Sequence, residues 1–374
     1  MAAATDQASL LSGEDKGPSP KKRPYAPHCP RLMRSRQRAS DQICVFSLPN
    51  AIDMHRKANF SMRMRIGIDL GGTKIEGVVM ADDASVLARR RVATPGGDYA
   101  ATVQAVCDLV MALEAEAGLH ELPVGAGTPG TRSRVDGLMK NCNSTCLNGR
   151  PLLEDLQRAL APRPVRIAND ADCLALSEAV DGAAAGAACV FAAILGTGVG
   201  GGIVVNQRLL AGPNAIAGEW GHNPLPWPRP DWGEVPGPRG WDGRYGSIES
   251  WCSGPGLADD HHRIHGVALR GEDIVALAAS GDEQAETSLQ RYEDRLARAL
   301  ASVINLLDPD VIVLGGGLSR VQRLYENVPR LWKAWVFSDR VDTCLLPAQY
   351  GDASGVRGAA WLWPSAALSG PGGG

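Results

Sequence analysis

The chain has little excess charge, no close cysteine pairing and no long apolar run free of glycine. Each absence removes a class of function. Lys and Arg number 38 against 41 Asp and Glu, a formal charge of −3, so nothing suggests a nucleic-acid surface in the body of the protein. The 9 cysteines are odd in number and scattered. Buried thiols in a reduced, cytoplasmic protein explain them better than a disulfide framework. No signal peptide is predicted. The one long apolar run, residues 187–205, contains Gly196, Gly198, Gly200, Gly201 and Gly202. Two buried strands joined by a glycine turn fit it better than a membrane span.

What is present centres on residues 66–74. Apolar residues lead to Asp69 and Leu70, Gly71 and Gly72 force a turn, Thr73 and Lys74 follow, and Ile75 opens a second apolar run. This reads as strand, turn, strand. A Walker loop would lead into a helix, and the spacing of a dinucleotide fold is missing. Glycines at such a turn let backbone N–H groups approach a phosphate chain. Thr73 adds a hydroxyl, Lys74 a cation, and Asp69 a carboxylate suited to hydrated Mg²⁺. An ordinary hairpin with a chance Asp and Lys remains the alternative.

Residues 190–205 repeat the plan, with Gly196, Thr197, Gly198, Gly200, Gly201 and Gly202 between two apolar runs. Two such turns, one per half of the chain, can grip a triphosphate from both sides. The rival is chance repetition of glycine hairpins. Later, residues 311–314 read as a buried strand, and Gly315, Gly316 and Gly317 as a turn against which a flat ring can lie. Residues 287–307 form a clear amphipathic helix.

Polar groups collect elsewhere. Residues 140–145 carry Asn141, Asn143, Ser144 and Thr145, which suit a polyol or an ordinary turn. Asn169 and Asp170 end a predicted strand and open a helix. Asp170 is either a cleft carboxylate or a helix cap, and Asp172 is placed to favour the helix N-terminus. Glu219 and His222 lie in a Gly- and Pro-framed loop, and Glu249 follows a stretch rich in Gly, Pro and Trp.

Length allows two lobes. Residues 64–186 are assigned to the first and 187–350 to the second. A C-terminal helix near residues 353–365 returns to complete the first lobe, and 366–374 form a tail. Residues 1–63 mix prolines with Lys21, Lys22 and Arg23 and show no sustained period. They are expected to be a disordered leader, or the product of a start assigned too early, Met62 and Met64 being later starts.

Taken together these pieces resemble the ROK family of sugar kinases and repressors. The motifs are Asp69 to Lys74, Asn169-Asp170, Leu195 to Gly202, Gly218 to His222 and Gly315 to Gly317, in family order. The resemblance implies an α/β protein of the actin-like ATPase (ribonuclease H-like) fold, with two lobes around a nucleotide and sugar cleft. It implies ATP and Mg²⁺ as cofactors, a small hexose as substrate, and a homodimer. Residues 140–145, Asn148-Gly149, 178–182 and 222–227 look most like bacterial fructokinase, so fructose is the expected hexose. Mannose, glucose and N-acetylglucosamine are the alternatives, and a non-catalytic sugar-binding protein is another.

By the same resemblance Asp170 is the general base, and Asn143, Asn169, Glu219, His222 and Glu249 contact sugar. Gly67, Asp69, Gly71, Gly72, Thr73 and Lys74 form one ATP turn. Gly196, Thr197, Gly198, Gly200 and Gly201 form the other, and Gly315, Gly316 and Gly317 the adenosine side. One departure stands out. The family's run of three zinc cysteines is replaced by Gly240-Trp241-Asp242-Gly243-Arg244-Tyr245-Gly246-Ser247-Ile248-Glu249. His222 and Asp242 fall short of a closed zinc site, so no zinc is expected. Trp227, Trp232, Trp241 and Trp251 are expected to pack in its place.

Overall fold

The computed structural model describes residues 63–365. The expectations for residues 1–62 and for the tail 366–374 lie outside them. Two five-stranded sheets carry the fold, and their strand plans match. In the first half, β1 (Met64–Leu70), β2 (Lys74–Ala81), β3 (Val86–Ala93), β4 (Val124–Thr128) and β7 (Val165–Asn169) lie in the order β3-β2-β1-β4-β7. A two-residue pair, β5 (Thr131–Arg132) with β6 (Met139–Lys140), sits apart from the sheet. The second sheet has the order β10-β9-β8-β11-β12. Its strands are β8 (Cys189–Leu195), β9 (Val199–Val205), β10 (Arg208–Leu209), β11 (Val311–Gly315) and β12 (Cys344–Pro347). In both sheets the first three strands form an antiparallel meander, and the next two join in parallel.

Parallel neighbours need a crossover. Helix α1 (Tyr99–Ala117) and α2 (Leu152–Ala159) supply it in the first half. Asp98 caps α1, its side chain accepting from the Ala101 N–H at 3.0 Å. Gly118 closes the helix in the left-handed conformation, φ 66°. Val106, Leu109, Val110 and Leu113 recur at helical spacing and pack with Ile66, Ile68, Ile75 and Val79 of the sheet.

Helix α3 (Asp170–Val180) follows β7. In the second half, α4 (Ile248–Cys252), α5 (Gly254–His265), α6 (Gly271–Ala279), α7 (Glu283–Leu307) and α8 (Leu324–Leu331) follow, and α9 (Ser354–Trp361) closes the described chain. Leu289, Tyr292, Leu296 and Leu300 of α7 are buried with Phe191, Trp251 and Ile312. The sequence placed this helix from residue 287. Its start at Glu283 is set by Asp282, whose carboxylate accepts from the Ala285 N–H at 2.8 Å.

The C-terminal helix α9 packs on β1 and β4 of the first sheet and on α3. Glycines allow it: a Cβ on Gly67, Gly125 or Gly358 would overlap the carbonyl of Val356, Ala359 or Cys173. Glu178, fully buried on α3, fixes the approach to α9. It accepts from the N–H groups of Ala183 and Gln349 and from the Ser354 hydroxyl at 2.7 Å. No helix among the described residues is long and apolar enough to cross a membrane.

Candidate active site between the two sheets

The first glycine turn joins β1 to β2. Gly71 N–H donates to the Lys74 carbonyl at 3.0 Å, and the Thr94 hydroxyl donates to the Gly71 carbonyl at 2.7 Å. Gly72 and Thr73 are exposed at the tip. A Cβ on Gly72 would lie 3.4 Å from Ser144 Oγ, so the polar loop 140–148 borders this turn. Gly67, expected at the ATP turn, lies inside β1, buried under α9.

The second turn is shorter than the sequence suggested. Gly196, Thr197 and Gly198 alone form it, closed by Gly196 N–H to the Gly198 carbonyl at 3.0 Å. Gly200, Gly201 and Gly202 belong to β9. Their bare backbone lets other elements close in. A Cβ on Gly202 would lie 2.7 Å from the Ala171 carbonyl, and one on Gly201 2.7 Å from the Gly218 carbonyl. Trp220 Nε1 reinforces this with a 2.9 Å bond to the Gly200 carbonyl. Gly200 and Gly201, expected in the turn, instead let α3 and the Glu219 loop close onto β9.

At the third glycine run, Gly315 is buried against Leu174 and is also a packing residue. Gly316 and Gly317 are exposed. Gly316 has φ 81°, and a Cβ there would crowd Leu195 at 2.7 Å from its carbonyl carbon. This turn thus adjoins the end of β8, beside the second hairpin.

Asp170 is the first residue of α3, and Asn169 is its cap. The Asn169 side chain accepts from the Asp172 N–H at 2.6 Å. The alternative role weighed for Asp170, that of a cap, is filled by its neighbour. Asp170 Oδ1 accepts from the Ala171 N–H at 2.8 Å. The residue is open to solvent. The protein crowding around it strips solvation and raises its pKa, against the lowering effect of its backbone bonds. Asp69 faces it from β1. Burial, then the Asp170 and Glu76 charges, push Asp69 up to about 6, while Lys74 and Arg91 pull the other way. Asp172 rises to about 7 through burial and then the charges of Glu219 and Asp170. Sequence reasoning gave Asp172 only a helix-terminal role. The signal for more was its two-residue spacing from Asp170, which turns it toward Glu219.

Carboxylates thus crowd a region short of positive charge. Among the described residues no group of three or more His, Cys, Asp and Glu is placed to grip a metal directly. That donor set fits a hydrated divalent cation, because Mg²⁺ keeps several waters and takes one or two carboxylates.

The sugar candidates lie on both sides. Asn143 is exposed on the loop 140–148, which Asn148 clamps by accepting from the Cys142 N–H at 2.9 Å and donating to its carbonyl at 3.1 Å. Glu219 lies 3.7 Å from His222 Nε2, and Asp242 lies 4.0 Å from His222 Nδ1. Glu249 is engaged on both oxygens: Oε2 accepts from the Val199 N–H at 2.9 Å and Oε1 from Trp241 Nε1 at 3.1 Å. A cavity of about 430 Å³ opens beside Asn169 and Asp172, bounded by Thr128, Thr131 and Leu209.

The loop 226–246 is held by arginines that the sequence reading missed. Glu234 is fully buried and accepts from Arg295 Nε at 2.8 Å and Arg298 Nη2 at 2.9 Å. Arg298 Nη1 also donates to the carbonyls of Pro226 and Trp227. Arg295 lies 4.2 Å above the Trp251 ring and Arg291 4.6 Å above Trp232. Trp227 stacks on Trp335 at 5.1 Å. Trp232 and Trp251 thus lie under guanidinium planes and Trp227 against another indole, while Trp227 and Trp241 are both exposed. The missed signal was the four-residue and three-residue spacing of Arg291, Arg295 and Arg298 on one face of α7.

A profile described as the ROK family matches residues 65–366. The chain belongs to the ROK family. It is similar to N-acetyl-D-glucosamine kinase of Yersinia pseudotuberculosis, 38% identical over 301 residues, 80% of this chain and 98% of that one. The same-named protein of Escherichia coli is 39% identical over 305 residues, with 80% and 99% covered. Among solved structures, the ROK hexokinase from Thermus thermophilus is 30% identical, with a TM-score of 0.71 over 79% of this chain and 96% of that one. A ROK glucokinase from Streptomyces griseus, solved with glucose and AMPPNP, is 27% identical, with a TM-score of 0.63 over 80% and 98%. The two matched sheets of this ROK protein are those of the actin-like ATPase fold.

Proposed function

We propose that the chain is an ATP-dependent sugar kinase whose preferred substrate is N-acetylglucosamine, with Asp170 as general base. The observation that carries the reaction class is the position of Asp170: at the first turn of α3, exposed to solvent, with an elevated pKa and with the Asp69 carboxylate at the end of β1 close enough for each charge to be felt. A base with a raised pKa accepts a proton from a sugar hydroxyl more readily. The hydroxyl oxygen then attacks the terminal phosphorus, and ADP leaves in line. Such transfer is mainly positioning and charge neutralisation. The backbone N–H groups of Gly72, Thr73, Thr197 and Gly198, at the two hairpin turns, are suited to hold phosphate oxygens from the two sides. Mg²⁺, held through water by Asp69, supplies neutralising charge when bound. Asn143, Asn169, Glu219, His222 and Glu249 are the sugar contacts in this reading, and Gly316 and Gly317 border the adenosine.

The choice of hexose rests on relatives at 38% and 39% identity that are N-acetyl-D-glucosamine kinases over nearly their whole length. The likeness to fructokinase rests on short runs only. The cavity of about 430 Å³ beside Asn169 gives room for a substituent on the sugar ring. A homodimer in the cytoplasm, without nucleic-acid or membrane partners, completes the proposal.

Release of ADP across a panel of N-acetylglucosamine, glucose, mannose and fructose tests it. The highest kcat/KM is expected with N-acetylglucosamine. A preference for fructose would overturn the choice of hexose, and no ADP release with any sugar would overturn the kinase reading.

A further inference from the structure

We infer that Trp241 is a positioning residue for the sugar: it locks Glu249 and His222 into one arrangement and walls the site opposite the polar loop 140–148. This rests on the kinase reading above.

Trp241 sits at the tip of a closed turn. Arg239 and Tyr245 pair as an antiparallel bridge. Gly240 N–H donates to the Arg244 carbonyl at 2.7 Å, Gly243 N–H donates to the Gly240 carbonyl at 3.0 Å, and Asp242 Oδ1 accepts from the Arg244 N–H at 3.0 Å. A turn tied this often has little freedom, yet it presents an indole that is 74% exposed. Exposed apolar area contributes little to folding, so the ring's placement calls for another account.

Its contacts supply one. Nε1 donates to Glu249 Oε1 at 3.1 Å. The ring stands edge-on to His222, centroids 5.9 Å apart at 78°. The same ring lines a cavity of about 610 Å³ with Lys140, Asn141, Asn143 and Asn148. One side chain of the second half therefore touches two polar groups of its own half and faces the polar loop of the other across open space. An apolar ring with a polar edge, set among a few fixed polar groups, is the usual lining of a small-molecule site.

The bond to Glu249 matters because of what holds its other oxygen. Oε2 is fixed by the Val199 N–H at the base of the second hairpin. A carboxylate held at one oxygen can still swing about its terminal torsion. The indole N–H removes that freedom and sets the plane of the carboxylate. The hairpin keeps further ties, including Gly254 N–H to the Gly196 carbonyl at 2.8 Å. Losing Trp241 should therefore disturb the sugar before the nucleotide.

The test compares Trp241→Phe, which keeps a ring against His222 but has no N–H, with Trp241→Ala, which keeps neither. The KM for the best sugar is expected to rise about tenfold in the Phe variant, in line with loss of a hydrogen bond to a charged group, and further in the Ala variant. The KM for ATP should stay within about twofold, and Tm within about 2 °C, as for an exposed site. Sugar-induced change in intrinsic tryptophan fluorescence should shrink in both. An unchanged sugar KM in Trp241→Ala would overturn the inference. So would equal rises in both KM values with a lowered Tm, which would mark a merely structural role. A wild-type protein that phosphorylates no sugar counts against the kinase reading itself. An active wild type with a kinetically silent Trp241→Ala counts against Trp241 alone.

Discussion

Asn169 caps the helix that Asp170 opens: its side-chain oxygen takes the Asp172 N–H at 2.6 Å, leaving the Asp170 carboxylate unneeded for the cap. The two roles that one carboxylate could have filled are divided between neighbours. Asp170→Asn should therefore fold with a Tm close to wild type and still bind ATP. Its kcat should fall by at least about a hundredfold, the lower end of general-base contributions. Steady-state kinetics beside ATP titration check this, and near-normal turnover would remove Asp170 from the mechanism.

The pH profile should carry the mark of a crowded carboxylate. Transfer needs ionised Asp170, whose pKa is raised above the ordinary 3.8 by the desolvating protein packed around it. The rate constant kcat is thus expected to fall on the acid side, with a midpoint above that ordinary value. An acid limb at or below it would contradict the desolvation.

Asp172 should cost the fold stability at neutral pH. Its folded pKa of about 7 lies above its ordinary 3.8, so the native state binds a proton the unfolded chain releases. The sign follows: the penalty is full above about pH 7, shrinks as pH falls through the interval, and vanishes below the ordinary value. Asp172→Asn is expected to raise Tm at pH 8, with the gain narrowing steadily toward pH 4. Thermal melts across that range decide it, and a gain that grew on acidification would refute it.

The arginine staple predicts where stability resides in the loop 226–246. Arg298 and Glu234 are both fully buried, 2.9 Å apart. Arg298→Met would leave Glu234 with one fewer partner and two carbonyls unmet. Removing one member of a buried pair typically costs about 3–5 kcal/mol, readable in urea unfolding. Because side chains hold this loop, exhaustive zinc chelation followed by Mg²⁺ restoration should leave Tm unchanged.

Gly358 offers a steric test of how α9 is seated. A Cβ there would overlap the Cys173 carbonyl on α3, which is backbone and cannot rotate away. Gly358→Ala is expected to destabilise by about 1–3 kcal/mol or more, as overpacking does. Gly317→Ala, with no atom near the added Cβ, is the silent control for packing.

Much was legible in the residues themselves. Apolar runs marked β1, β2, β8, β9 and β11, an amphipathic period marked α7, and the paired glycines after Asp69 marked the first hairpin. These are local signals, because strand and helix periods and turn geometry are properties of neighbouring residues. The carboxylates and amides that could do chemistry were visible for the same reason. What tertiary structure alone decided was how distant backbones meet. Gly67, Gly201 and Gly315 read as turn residues in sequence, yet each is small because a helix or loop from elsewhere presses on it. Glu249 looked like a free contact, but Val199 and Trp241 hold it from 50 and 8 residues away. The arginines of α7 drew no reading at all, because the carboxylates that bury them, Glu234 and Asp260, come from other elements: Arg295 pairs with both and Arg298 with Glu234. Close approach and charge pairing across long separations depend on where the chain returns in space, and no local period encodes that.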